Sequence, residues 1–170
     1  MTTATAVAPI ARWEGGVSPW GLSWQKFMMW AFIVSDALLF AGFLAAYGFA
    51  RLGAAAWPDR AKVFHLDFIA AMTFVLITSS ATMATAVAAA QRGHGTHAAR
   101  FLLATLAGGL TFLGMQAYEW ATLIGAGAGL AGNPWGPASF GAFFFLITGF
   151  HGTHVLVGTI VLACTWWHAR

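Results

Sequence analysis

The sequence predicts an all-α, integral membrane helical bundle of four transmembrane helices. Two observations carry that expectation. The 170 residues are 59% hydrophobic and only 8% charged, whereas a soluble domain carries about 25% charged residues. The apolar residues also gather into long runs, each enough to cross a hydrocarbon core of about 30 Å at about 1.5 Å per residue. The net charge is +3, but the basic residues stand singly without a stacking platform, so no nucleic acid is expected. Cys164 is the single cysteine, which excludes an internal disulfide and a cysteine-held iron–sulfur cluster and reads as a buried, inert thiol.

Residues 1–26 read as an N-terminal cytoplasmic and interfacial arm, with Trp13, Trp20, Trp24 and Lys26 suited to the headgroup zone. The arm has no basic start followed by an apolar core, so the first span is expected to direct insertion into a prokaryotic inner membrane. Residues 27–170 read as the transmembrane domain. Span one runs over 27–50 and contains one charge, Asp36, with Gly42 and Ala46 forming a small-residue face. Arg51 to His65 holds Pro58, Asp59, Arg60 and Lys62 and reads as a polar loop.

Span two, 66–90, opens near Asp67 and places Thr78, Thr82 and Thr85 on one face. Such hydroxyls bond to their own helix or to a neighbour. Gln91 to Arg100 reads as a glycine-rich turn in which His94 and His97 are solvated. Span three, 101–124, is thinned by Gly108, Gly109 and Gly114 and ends with Gln116, Tyr118, Glu119 and Trp120. Gln116 and Glu119 share a face, and Tyr118 and Trp120 read as an interfacial anchor. Gly125 to Ser139 is rich in glycine and proline and cannot be helical throughout.

Span four, 140–167, has no Asp, Glu, Lys or Arg, and carries His151 and His154 three residues apart among Gly149, Gly152, Thr153 and Gly158. Its GFHGTHV face is expected to turn inward as the surface on which the other helices pack. An inside N-terminus leaves Arg12, Lys26, Arg92, Arg100 and Arg170 cytoplasmic and Arg51, Arg60 and Lys62 outside, which favours that orientation.

Polar side chains at membrane depth are costly and mark function or pairing. The candidates are Asp36, Glu119, His151 and His154. Asp36 is a protonated strut, a partner of one imidazole, or a titrating group. His151 and His154 lie on one helix face and cannot ligate one haem iron from opposite sides. A metal on His151, His154 and Asp36 is chemically reasonable, since imidazole and carboxylate suit zinc or iron. Histidines bonded to carbonyls or to Asp36 are the leading reading. A transporter would be expected to show broken helices around a midplane site, whereas these spans read as continuous.

Four blocks in order resemble subunit III of the haem–copper terminal oxidases (cytochrome c oxidase subunit III). They are FIVSDALLFAGFLAAY from Phe32, FIAAMTFVLITSSATMATAV from Phe68, RFLLATLAGGLTFLGMQAYEW from Arg100, and FGAFFFLITGFHGTHVLVG from Phe140. The last carries the family's His-Gly-x-His, and the third its Gln-x-x-Glu-Trp ending. The family usually has Glu where Asp36 stands. Two front helices of longer members, and a final helix with a Tyr-Trp-His-Phe-type motif, have no counterpart, so a shortened bundle is expected.

The resemblance implies a non-catalytic subunit with no cofactor of its own. Haem and copper would lie in the partner, subunit I, with subunit II and membrane lipids as further partners and phospholipid bound. It would stabilise the catalytic subunit and support proton uptake in aerobic electron transport, with Asp36 near the proton entry. The nitric-oxide-reductase accessory protein of the same family is the alternative. From another class, the alternative is an independent metal- or haem-binding membrane enzyme using His151 and His154.

Overall fold

A computed structural model describes residues 12–13, 16–17 and 22–169. Trp20, Arg170 and most of the arm expected at 1–26 lie outside the described residues. The chain divides into two compact units, Met1–Ala46 and Tyr47–Arg170. Among the described residues, four helices are long and apolar enough to cross a membrane, so the chain is a helical integral membrane protein.

The first unit holds a short antiparallel ladder, β1 (Arg12–Trp13) with β2 (Gly16–Val17). The sequence reading missed it. The unit also holds most of α1, Trp24–Leu52. Ser35, inside this helix, does not break it, because its hydroxyl donates to the Phe32 carbonyl at 2.9 Å. None of the residues of α1 is buried by the chain, and Leu38 is 68% exposed.

The second unit begins in the last turns of α1. Tyr47 sets its ring edge-on to Trp57 and Phe143, with centroids 5.5 and 6.2 Å apart. The loop expected between spans one and two contains a short helix, α2 (Arg60–Val63). It starts where Asp59 Oδ1 accepts the Ala61 N–H at 3.1 Å. The transmembrane helices of this unit are α3 (Leu66–Gln91), α4 (Gly95–Gly125) and α5 (Ala138–Ala169).

Two glycines end helices by the same device. After α3, Gly93 takes φ +78°, its N–H donates to Ala90 O and the His94 N–H donates to Ala89 O, both at 3.0 Å. After α4, Gly127 takes φ +94°, donating to Ile124 O, while the Ala128 N–H donates to Leu123 O, both at 2.9 Å. These bonds satisfy carbonyls that the helix leaves open, and the left-handed residue must lack a Cβ to adopt that φ cheaply. The second turn also brings Ala128 and Leu123 into one buried cluster with Phe145.

Helix α4 packs against both α3 and α5. The expectation that α5 would be the common packing surface is therefore corrected. Gly108 and Gly109 lie against Ser79 of α3 and Thr159 of α5 respectively, so the thin surface of α4 admits a helix on either side. The buried side chains of α5 include Phe140, Phe145 and Thr159, while His151 and Thr153 of the GFHGTHV stretch, and Gly158 after it, remain exposed within the chain. Cys164, expected to be buried, is likewise exposed.

The turn expected over Gln91 to Arg100 is shorter than its composition indicated. Helix α4 starts at Gly95, so His97 and Arg100 are helical. His94 precedes the helix, and its ring lies 6.1 Å from that of His97.

Candidate functional site

Helices α3 and α4 are joined by hydroxyls. Ser79 Oγ donates to Thr105 O at 3.1 Å, and the Thr82 and Thr105 hydroxyls lie 2.8 Å apart. Each hydroxyl also lies within reach of a carbonyl of its own helix, Ser79 O at 2.8 Å and Phe101 O at 3.0 Å, so one donates across the pair while the other donates within its helix. Thr78 and Thr85, expected on the same face as Thr82, bond to Phe74 O and Ala81 O of their own helix. The threonine face is thus mixed, with one residue reaching across the helix pair.

Glu119 stands on α4, partly buried, where Gln116 Nε2 donates to its Oε2 at 3.4 Å. The spacing of three that placed the two on one face does bring them together. Trp120, expected at the membrane surface, turns inward instead. Its indole N–H donates to Thr148 Oγ1 of α5 at 3.1 Å, and its ring meets Phe145 edge-on at 5.4 Å. Tyr118 is 66% exposed.

On α5, His154 Nδ1 lies 2.8 Å from the Phe150 carbonyl. A carbonyl can only accept, so Nδ1 carries the proton. The same imidazole lies against the Phe150 ring, with centroids 4.6 Å apart. The His151 ring lies nearly perpendicular to that of Phe112 of α4, with centroids 5.9 Å apart and planes at 85°. His154 thus bonds to its own helix, and His151 contacts α4 through Phe112. Asp36, on α1 in the first unit, is partly buried. Among the described residues, no three His, Cys, Asp or Glu side chains are grouped so as to hold a metal ion.

Two cavities open on α4. One, of about 250 Å³, lies between α4 and α5 beside Gln116, Trp120, Thr148, Gly149, Gly152 and Thr153. The other, of about 280 Å³, lies where the start of α3 meets the end of α4 and the loop at Trp135. Glu119 lines this second cavity. Spacing along the chain does not reveal this grouping, because Phe64 and Phe68, Tyr118 and Glu119, and Trp135 come from separate stretches.

The sequence model of the family described as "Cytochrome c oxidase subunit III" matches residues 20–170. The relatives include cytochrome c oxidase subunit 3 of Corynebacterium diphtheriae, 33% identical over 132 residues, covering 76% of this chain and 62% of the relative. Cytochrome c oxidase subunit 3 of Thermostichus vulcanus is 32% identical over 139 residues, covering 82% and 65%. The cytochrome bo(3) ubiquinol oxidase subunit 3 of Pseudomonas aeruginosa is 31% identical over 134 residues, covering 79% and 62%. The chain thus spans less than two thirds of the length of each of these relatives.

Proposed function

Because the chain belongs to the cytochrome c oxidase subunit III family, we propose that it serves as subunit III of a respiratory haem–copper oxidase. It packs beside subunit I, with subunit II in the same assembly, in a prokaryotic inner membrane with its N-terminus inside. The observation that carries this reading is the family match over 20–170, which takes in all four described helices long and apolar enough to cross a membrane. Haem and copper, and the oxygen chemistry they supply, belong to the partner subunit. The relatives' names divide between cytochrome c and ubiquinol oxidases, so the electron donor is left open.

Two features support a bracing role. The exposed apolar side chains of α1, among them Trp30 and Leu38, offer a surface that lipid or a partner helix can cover. Asp36 supplies a carboxyl within that span, where a group able to hold or release a proton is costly unless used or paired. In the assembly Asp36 supports proton uptake by the catalytic subunit, with Glu119, His151 and His154 as the accompanying polar groups. Residues 1–26 form the interfacial arm and 27–170 the subunit III-like domain.

The test is purification of the tagged chain from its native membrane. Haem–copper subunit I should accompany it, and the chain stripped of partners should show no Soret band. A Soret band or stoichiometric metal in the stripped chain, or a nitric oxide reductase in place of the oxidase, overturns the reading.

A further inference from the structure

We propose that the cavity between the start of α3 and the end of α4 receives an arginine side chain of an adjoining subunit, whose guanidinium pairs with Glu119. The inference rests on the reading of the chain as part of an oxidase assembly. Glu119 shares the cavity wall with His65 and the rings of Phe64, Phe68, Tyr118 and Trp135. No lysine or arginine is among the lining residues. The Gln116 amide donates to the carboxylate at 3.4 Å, longer than the roughly 2.7–3.2 Å of an ordinary N–H···O bond. An acid within a membrane-crossing helix is costly and is usually paired. This wall therefore holds a fixed acid and no permanently charged base, and an arginine from outside complements it.

The composition of the wall selects the guanidinium. A planar guanidinium stacks on aromatic faces and pairs with a carboxylate through two parallel N–H donors. Its apolar stem covers side chains such as Leu123 on the way in. The rings are held from behind. Phe64 packs on Phe140 and Phe144, with centroids 6.0 and 5.1 Å away. Phe68 and Tyr118 bridge α3 and α4 at 5.7 Å, and Trp135 packs against the cluster of Leu123, Ala128 and Phe145. Little ordering is left for the incoming side chain to impose, which favours affinity.

Size and depth agree with this occupant. A cavity of about 280 Å³ far exceeds the roughly 10–15 Å³ that one water needs, so it has room for a long side chain rather than a lone ion. Glu119 lies six residues before the α4 end at Gly125, about 9 Å along the axis. His65 immediately precedes α3. The cavity therefore sits near the membrane–water boundary of both helices, the depth at which a partner helix can carry an arginine at low cost.

The test uses the assembly purified through a tag on its haem–copper subunit, with this chain as parent, Glu119→Gln or Tyr118→Leu. Two quantities are measured: the rate at which the chain leaves the complex on detergent dilution, and phenylglyoxal labelling of the other subunits' arginines, mapped by peptide mass spectrometry. In the parent complex one arginine of an adjoining subunit should be protected. Glu119→Gln should make it reactive and speed release of the chain by about tenfold. Tyr118→Leu should speed release by about threefold and weaken the protection. Tyr118 is exposed, so this variant decides if Glu119→Gln does not fold by circular dichroism. Labelling or release that is the same in parent and folded variants overturns the proposal. So does carbodiimide coupling of Glu119 to a lysine, because the occupant is then an ammonium. A chain that accompanies no haem–copper subunit overturns both this and the subunit reading, whereas equal labelling within an intact complex overturns this alone.

Discussion

The Trp120 indole N–H and the Thr148 hydroxyl of the facing helix are joined at 3.1 Å, and Thr148 in turn donates to its own Phe144 carbonyl at 2.6 Å. Trp120→Phe keeps a ring against Phe145 and removes only the donor, while Thr148 keeps its bond to Phe144. The expected cost is about 1 kcal/mol, since interhelical hydrogen bonds in membranes are individually modest. Trp57 provides the contrast. Its Nε1 is buried without an acceptor among the described residues, although its ring meets Tyr47 and Phe140. Trp57→Phe sheds an unsatisfied donor, whose burial costs about 1–3 kcal/mol. It should therefore destabilise less than Trp120→Phe. Unfolding of both variants in mixed micelles checks the order; the reverse order contradicts these assignments.

Gly109 and Thr159 hold α4 and α5 at close approach. A Cβ placed at Gly109 would lie 2.9 Å from Thr159 Oγ1. That hydroxyl cannot swing away cheaply, because it donates to Val155 O at 2.7 Å and the residue is only 6% exposed. Gly109→Ala should cost about 1–3 kcal/mol by overpacking. Adding Thr159→Ala empties the space and should recover most of that loss. A Gly109→Ala chain as stable as the parent, or a double variant no better than the single, would show that the helices are not in this contact.

The spans were legible because a membrane-crossing helix announces itself by composition: the apolar runs beginning at Phe27, Leu66, Phe101 and Phe140 all lie within the long helices. The start of α4 was not, because Thr96, His97 and Arg100 break the apolar run while the backbone stays helical. Glu119 and Gln116 could be paired from their spacing, since one helix fixes both. Trp120 could not be paired with Thr148 in this way: the bond spans 28 residues and two helices, and helical period says nothing about which neighbour a face meets. The same limit hid the role of α4. Small residues recur in every span, and only tertiary contact reveals that Gly108 and Gly109 are the ones between two partners.

Asp36→Asn tests whether the acid in α1 titrates. The amide is close in size and still hydrogen-bonds, so the chain should insert and assemble with little loss. An amide does not exchange a proton near neutral pH, so if Asp36 supports proton uptake as proposed, the assembled complex should take up protons more slowly, with lower turnover at high electron supply. Proton-uptake and oxygen-consumption measurements on the purified complex check this. Unchanged uptake, pumping and turnover lifetime would leave Asp36 with a strut's role only.

Gly152 separates packing within the chain from packing against a partner. No atom lies within 4 Å of a Cβ built there, and the residue borders the cavity of about 250 Å³ beside Trp120 and Thr148. Gly152→Leu therefore has room within this chain, unlike Gly109→Ala, and should change its stability in micelles by less than about 1 kcal/mol. If the His-Gly-x-His stretch faces a neighbouring subunit, the added side chain instead fills space that the neighbour occupies. Recovery of the whole oxidase should then fall severalfold while the separate chain stays folded. Intact recovery of the complex would place the interface elsewhere, and a destabilised free chain would mean that α5 packs more tightly on α4 at this level than the open space beside Gly152 indicates.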